Sequence, residues 1–291
     1  MSPGLADEYE LLDSGDGRKL ERFGAYTLAR PCSQAVWKPR LSEAEWTAAA
    51  DAAFDREDGN RWHNRSGLPA AWEVEIAGIR FRLSGTDFGH LGVFPEQRAQ
   101  WLWLRNTVRD ACAARPGPVR ILNLFAYSGG STLAAALGGA EVCHLDASKG
   151  MVTWARDNAR LNRLEAHPIR WITDDAHTFL RREVRRERRY DAVILDPPTF
   201  GRGQGNETYK IERDLPETLR LCRSLLAPDP LFVLLSAHTP GYSPLVLENV
   251  LGQAVGDLDG KIVSGEMLLT GAATVPSTPS GAFARWTRGA Q

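Results

Sequence analysis

From about Pro95 onward the chain alternates short apolar runs with longer stretches of helical periodicity, and this rhythm limits the possible folds more than any other feature. Pro95 suits the first turn of a helix, which carries Trp101, Leu102, Leu104 and Val108 to Cys112. Strands are then predicted over 121–125, 141–145, 169–172, 192–195 and 231–235, with helices over 131–137, 151–162, 176–188 and 211–226. Short, continuous apolar runs of this kind belong to strands buried on both faces. The expectation is a mostly parallel, doubly wound α/β sheet. Sheets of that class bind ligands beyond the carboxyl ends of their strands, so the residues following each run are the ones to read for chemistry.

Residues 1–90 read differently, as a small α+β domain; 91–291 form the second domain. Tyr9–Leu12 and Leu20–Ala29 are predicted strands around the turn Asp13–Gly17, where glycine supplies positive φ. Ser42-x-x-Glu45 is a capping box that opens a helix to about Asp58. After a polar loop, 59–67, the alternation of Trp72, Val74 and Ile76, then Ile79, Phe81 and Leu83, predicts a hairpin with one buried face. Composition narrows the partners. Lys and Arg number 35 against 36 Asp and Glu, a formal charge of −1, so any nucleic-acid contact has to come from a local patch. Cys32, Cys112, Cys143 and Cys222 show no C-x-x-C spacing, which argues against a bound metal or a disulfide framework. With no membrane-length apolar run and no apolar core in the acidic segment 1–10, a cytoplasmic protein without a membrane partner is expected.

Three strand ends point to a nucleoside-bearing cofactor. The first strand runs into Gly129-Gly130, which lets the backbone approach a ligand and aims N–H groups at negative charge. Asp146 ends the next strand, where an acid suits a ribose diol. Asp174-Asp175-Ala176 follows the third, with a side-chain oxygen and backbone groups for an adenine edge. Each alone reads as a turn or a helix cap; all three on successive strands read as a site. A nicotinamide cofactor and S-adenosylmethionine both fit. The fourth strand ends in Asp196-Pro197-Pro198-Thr199-Phe200, whose prolines stiffen the exit and leave acceptors and a flat ring. That is a holder for a planar, N–H-bearing substrate, and it favours methyl transfer.

These stretches, Asn123–Gly130, Leu145–Lys149, Asp174–Ala176 and Asp196–Phe200, together with Tyr209-Lys210 and Gly92–Arg98, resemble the class I S-adenosylmethionine-dependent methyltransferases. More narrowly they are similar to the bacterial 23S ribosomal RNA methyltransferases of the D-P-P-x-F type. The resemblance covers roughly 85–240 and implies a Rossmann-like methyltransferase sheet, S-adenosylmethionine as cofactor and ribosomal RNA as partner. It further implies that Asn123, Phe125, Ala126, Tyr127, Ser128, Gly129 and Gly130 line the methionine part, and that Asp146 takes the ribose with Ser148 and Lys149 beside it. Asp175 and Ala176 would meet adenine, while Phe94, Gln97 and Arg98 close one wall. Asp196, Pro197, Pro198 and Phe200 would form the catalytic set. The chain departs from its cytosine-C5 relatives, which need a cysteine nucleophile in the cleft: the fifth strand ends Ser236-Ala237-His238. A guanine N7 or an exocyclic amine is therefore the expected acceptor. The alternatives are a small-molecule or protein methyltransferase, or a ribosome-assembly factor without turnover.

Four further features carry two readings each. His238 is a general base or a structural histidine. Gly201–Asn206 is a lid or a solvent loop. Trp62, beside Arg61 and Arg65, is an RNA contact or a packed ring. The arginine-rich run 181–189 lies at the amino-end side of the sheet, as a solvated helix end or a distal RNA contact.

Overall fold

The computed structural model describes residues 7–56, 58–202 and 208–289. One compact unit comprises the chain up to Ala99 with Leu268–Ser280, the other Gln100–Met267 with the chain from Gly281. The boundary thus lies later than residue 90, and a segment from near the end of the chain returns to the first unit. Hydrogen bonds hold it there: Leu11 N donates to Thr270 O (3.1 Å), and the Ser14 and Thr278 hydroxyls meet at 2.8 Å in a buried position. No local pattern in the sequence announces such a return.

In the first unit, β1 (Tyr9–Gly15), β2 (Arg18–Phe23), β3 (Tyr26–Pro31), β4 (Ala52–Asp55) and β5 (Arg61–His63) make a sheet in that order, and β6 (Trp72–Ile76) pairs with β7 (Ile79–Leu83). Asp16 and Gly17 both have positive φ (48° and 76°), as a primed hairpin turn requires. The capping box at Ser42 is present, but α1 (Glu43–Ala49) stops well short of Asp58. Sheet pairing overrides alanine propensity here: Ala52 and Phe54 are buried alternately, and Ala52 pairs with Leu28 of β3. Trp62 is a packed ring. Its indole donates to Thr86 O (2.7 Å), and it lies edge-on to Phe54 at 5.2 Å.

The second unit follows the predicted rhythm: α2 (Arg98–Ala114, its first two residues in the first unit), β8 (Arg120–Leu124), α3 (Gly130–Leu137), β9 (Glu141–Asp146), α4 (Lys149–Leu161), β10 (Ile169–Thr173), α5 (Ala176–Arg185) and β11 (Ala192–Leu195). Then come β12 (Phe200–Arg202), β13 (Thr208–Lys210), α6 (Ile211–Leu225), β14 (Phe232–Ala237), α7 (Pro244–Val255), β15 (Gly260–Leu269) and β16 (Thr278–Arg288). The sheet order is β10-β9-β8-β11-β14-β16-β15. Its first five strands are parallel, and β16 runs antiparallel to β14. The fold is a Rossmann-like α/β sheet with a smaller strand-rich unit. Leu122, Leu124, Leu145, Val193, Leu195, Val233 and Leu235 face a core shared with α5, α6 and α7. The alternate residues Asn123 and His144 face α3, through Thr132. The central strands are covered on both faces, which is why they read as largely apolar runs with few polar interruptions.

Candidate active site

Parallel register decides which side chains meet. Leu124 is level with Leu145 and Leu195, Leu195 with Leu235, and Thr173 with Asp146. Phe125, Asp146, Thr173, Asp196 and Ser236 therefore stand in one row along the carboxyl rim. The chain leaves β8 toward β9 on one side and returns from β10 to β11 on the other. The gap between β8 and β11 is thus the topological switch point, where sheets of this class take ligands.

The bend after β8 is strained. Phe125 (φ 55°), Tyr127 (φ 50°) and Gly129 (φ 96°) are all left-handed, and each non-glycine residue there costs about 1–3 kcal/mol. Named bonds impose the shape. Ala126 N donates to Leu145 O (3.0 Å), Tyr127 N to Asp146 Oδ2 (2.9 Å), and Asn158 Nδ2 to Ser128 O (2.9 Å). The paired glycines serve different ends. Gly129 takes a φ that side chains resist, and a Cβ there would stand 3.1 Å from Ala155 Cβ. A Cβ on Gly130 would stand 2.5 Å from the Trp101 ring, so its lack of a side chain is accounted for by internal packing.

Asp146 ties the bend to the next two strand ends. Its oxygens accept from Tyr127 N and from Ser148 N (2.8 Å), and its carbonyl accepts from Asp174 N (3.1 Å). Burial pushes the Asp146 carboxyl above the usual aspartate range, against the pull of those two N–H groups. A carboxylate has about four acceptor directions, so two remain for a vicinal diol. Ser148 caps α4 through Met151 N (3.4 Å), and Lys149 is exposed at its first position. Asp175 caps α5 through Thr178 N (2.8 Å), with Ala176 buried behind it. Asp174 bonds Asp175 N and Arg182.

At the end of β11, Asp196 Oδ1 lies 3.4 Å from His238 Nδ1, and the Thr199 and Thr239 hydroxyls meet at 2.7 Å. Phe200 is 52% exposed, unusual for a large apolar ring. The β12–β13 hairpin carries Tyr209 back, so that its ring packs on Phe125 at 4.9 Å. Contacts thus link the exits of β8, β9, β10 and β11, and separately those of β11 and β14. Residues 203–206 of the glycine-rich loop lie outside the described residues.

Some expected site residues have partners of their own. Asn123 is buried and donates to Thr132 Oγ1 (2.8 Å), which meets His144 Nδ1 (2.9 Å). It supports the bend from below, because alternation along β8 turns it toward α3. Phe94, Gln97 and Arg98 belong to the first unit, where Arg98 pairs with Asp7 (3.0 Å) and Thr270. Cys143 and Cys222 are buried, and burial pushes their thiols up to about 11 and about 12. Neither is a thiolate at neutral pH. Among the described residues no cluster of His, Cys, Asp or Glu is placed to hold a metal ion, and no helix is long and apolar enough to cross a membrane.

A family model described as S-adenosylmethionine-dependent methyltransferase matches residues 51–247. The chain belongs to this family. The methyltransferase accordingly takes S-adenosylmethionine as its cofactor. The solved structure of a SAM-dependent methyltransferase from Agrobacterium tumefaciens is similar over 98% of this chain and 91% of its own, with TM-score 0.90 and 37% identity. A putative SAM-dependent methyltransferase from Streptococcus mutans shares the fold at 16% identity, with TM-score 0.74 over 97% of this chain and 75% of its own. Ribosomal RNA large subunit methyltransferase K/L of Syntrophotalea carbinolica is 33% identical over 159 residues, 54% of this chain. The protein of that name from Pseudoalteromonas atlantica is 34% identical over 158 residues, again 54%. The methyltransferase spans only 21% of the length of either relative. Two of its contacts went unread in the sequence. Asn158 sits mid-helix with no motif around it, and the pairing of Asp196 with His238 joins strands far apart in the chain.

Proposed function

We propose that this methyltransferase modifies a base of large-subunit (23S) ribosomal RNA, at a guanine N7 or an exocyclic amine. One observation carries the reading: the carboxyl rim that presents Asp146 also presents Asp196, two proline-stiffened carbonyls and an exposed Phe200. The names of the curated relatives and the high thiol pKa values support it, the latter because cytosine-C5 transfer needs a thiolate. The strained bend and the unused acceptor directions of Asp146 fit a cofactor with a ribose diol.

When bound, S-adenosylmethionine supplies an electrophilic methyl group on a positively charged sulfur. Phe125–Gly129 would hold the methionine part, Asp146 the ribose, and Asp175 and Ala176 the adenine, with Ser148 and Lys149 beside the ribose and Gly130 setting the helix start. Phe200 stacks the target base, an interaction of about 1–3 kcal/mol. Asp196 and the Pro197 carbonyl accept from its N–H groups, Pro198 fixes their direction, and the base nitrogen lies in line with the bond to be broken. Alignment of this kind is worth up to about 7–11 kcal/mol. The Asp196 carboxylate also stabilises positive charge arriving on the base. The test is transfer of a labelled methyl group to ribosomal RNA from cells lacking the gene, followed by nucleoside mass spectrometry. A methyl group on guanine N7 or on an exocyclic amine supports the reading, and one on cytosine C5 refutes it. Label on protein or a small molecule alone, or no transfer, refutes it.

A further inference from the structure

The parallel strands have a second rim, and it is built from arginine. At the amino ends of β8, β9 and β10 lies an open cleft of about 1040 Å³, lined by Arg120, Arg170, Arg186, Arg188 and Arg189, with His167 among them. Glu141 and Glu187 are the carboxylates of its lining. The net charge of the whole chain is −1, so this concentration is a local feature.

The arginines are positioned by structure. Helix α5 ends in a backbone reversal: Glu187 N donates to Val184 O (3.0 Å), Arg188 N to Glu183 O (3.1 Å), and Glu187 takes φ 53°. That is the hydrogen-bond pattern of a Schellman cap, with glutamate where glycine is usual. The reversal brings Arg188 and Arg189 to the cleft beside Arg186. Beneath them Glu183 is fully buried and accepts from Tyr190 Oη (2.7 Å) and Arg170 Nη1 (3.1 Å), with Arg186 at 3.6 Å. One carboxylate therefore orients two of the five guanidinium groups. Arg189 is held through Ser224 O (3.0 Å).

Guanidinium groups gathered in a concave site match phosphate oxygens. Strands of five or six residues rise about 3.3 Å each, so this cleft stands about 17–20 Å from the carboxyl rim. A small acceptor held at Asp196 cannot reach both. A nucleic-acid strand can, because at a rise of about 3.4 Å per nucleotide five or six nucleotides match the straight separation, and a few more carry it around the covering helices. We propose that the amino-rim cleft binds the phosphodiester backbone of the RNA whose base is presented at the carboxyl rim. This rests on RNA being the substrate.

The test uses the full chain and deproteinised large-subunit ribosomal RNA. Filter binding is measured from 50 to 200 mM salt for the wild type and for a triple variant, Arg186→Gln, Arg188→Gln and Arg189→Gln. Each lost phosphate contact lowers the slope of log K against log salt by about 0.7–0.9. The slope is therefore expected to fall by about 2–3, and binding in low salt to weaken by about tenfold or more. The corresponding triple lysine variant keeps the slope, and S-adenosylmethionine affinity stays within about twofold in both. Arg188→Gln alone, which leaves the Glu183 network intact, lowers the slope by about one and guards against misfolding of the triple variant. An unchanged slope in both glutamine variants overturns the cleft, even where the wild type methylates the RNA. A reduced slope in a protein that transfers no methyl group to RNA sustains phosphate binding at the cleft but refutes the proposed function, and with it the presentation of a base of that RNA at the carboxyl rim.

Discussion

The two rims of one sheet carry opposite chemistry. At the carboxyl rim, backbone strain at Phe125 and Tyr127 and the carboxylates Asp146, Asp174, Asp175 and Asp196 surround the switch point. At the amino rim, five arginines line a cleft over one buried glutamate. The separation of about 17–20 Å exceeds the Debye length of about 8–10 Å in physiological salt, so neither field cancels the other in solvent. A cluster of acids suits a cofactor that brings positive charge and hydroxyl donors. The same acids repel a polyanion. A protein that must bring phosphates to an acid-lined site gains from holding them elsewhere, and the second rim offers the place.

The largest effect expected is at Asp196. Asp196→Ala should lower kcat by about 10²–10³-fold, the scale of losing one electrostatic stabiliser of the transition state, while cofactor affinity by calorimetry stays within about twofold. A wild-type rate would remove Asp196 from the chemistry and leave the carboxyl rim a binding surface only. Next is Asp146→Ala. Hydrogen bonds to a charged group contribute about 1.5–3 kcal/mol, so cofactor affinity should weaken by about 10–150-fold, with RNA affinity and its salt slope unaltered. A change in the salt slope would mean that the two rims are not independent.

The sequence makes the carboxyl rim more legible than the amino rim, for physical reasons. Strands buried on both faces are largely apolar runs, and their ends are marked by the residues that stop them, such as Asp146 and Asp196. Register then aligns those ends without further information. Helix α1 is misjudged because Ala48–Ala50 favour helix locally while Ala52 answers to pairing with β3. Strands β15 and β16 are missed because Gly265 and Gly281 interrupt their pattern and one of the two neighbours of β16, β14, lies far back in the chain. The arginine run is visible as composition, yet only the buried Glu183 and the reversal at Glu187 show that it forms a cleft. Asn123 reads as a site residue by motif, and alternation along β8 sends it inward.

A smaller effect tests the stacking ring. Phe200→Ala should raise KM for RNA by about 5–150-fold, from the 1–3 kcal/mol of one stacked base, with little change in cofactor affinity. Its half-exposed position means that folding stability should hardly move. A large loss of melting temperature would make Phe200 a packing residue.

The smallest effect separates the rims by the sign of their pH response. The Asp146 carboxyl is raised by burial, so it contributes stability below its unfolded value of about 3.9 and loses it as pH rises through the folded value. Glu183 is pushed up by burial too, but Tyr190 and Arg170 more than offset this and hold it low. Its contribution is present above about 4.3 and is lost as pH falls through the folded value. Melting curves of the cofactor-free protein from neutral pH down to about pH 3, which passes below the unfolded values of both acids, should therefore diverge. The stability of wild type relative to Asp146→Asn grows as pH falls, and relative to Glu183→Gln it shrinks. Static costs of either substitution shift these curves without changing their slopes, so the signs of the slopes alone decide. Equal slopes would show that both acids titrate alike, and that the contrast between the rims does not extend to their buried carboxylates.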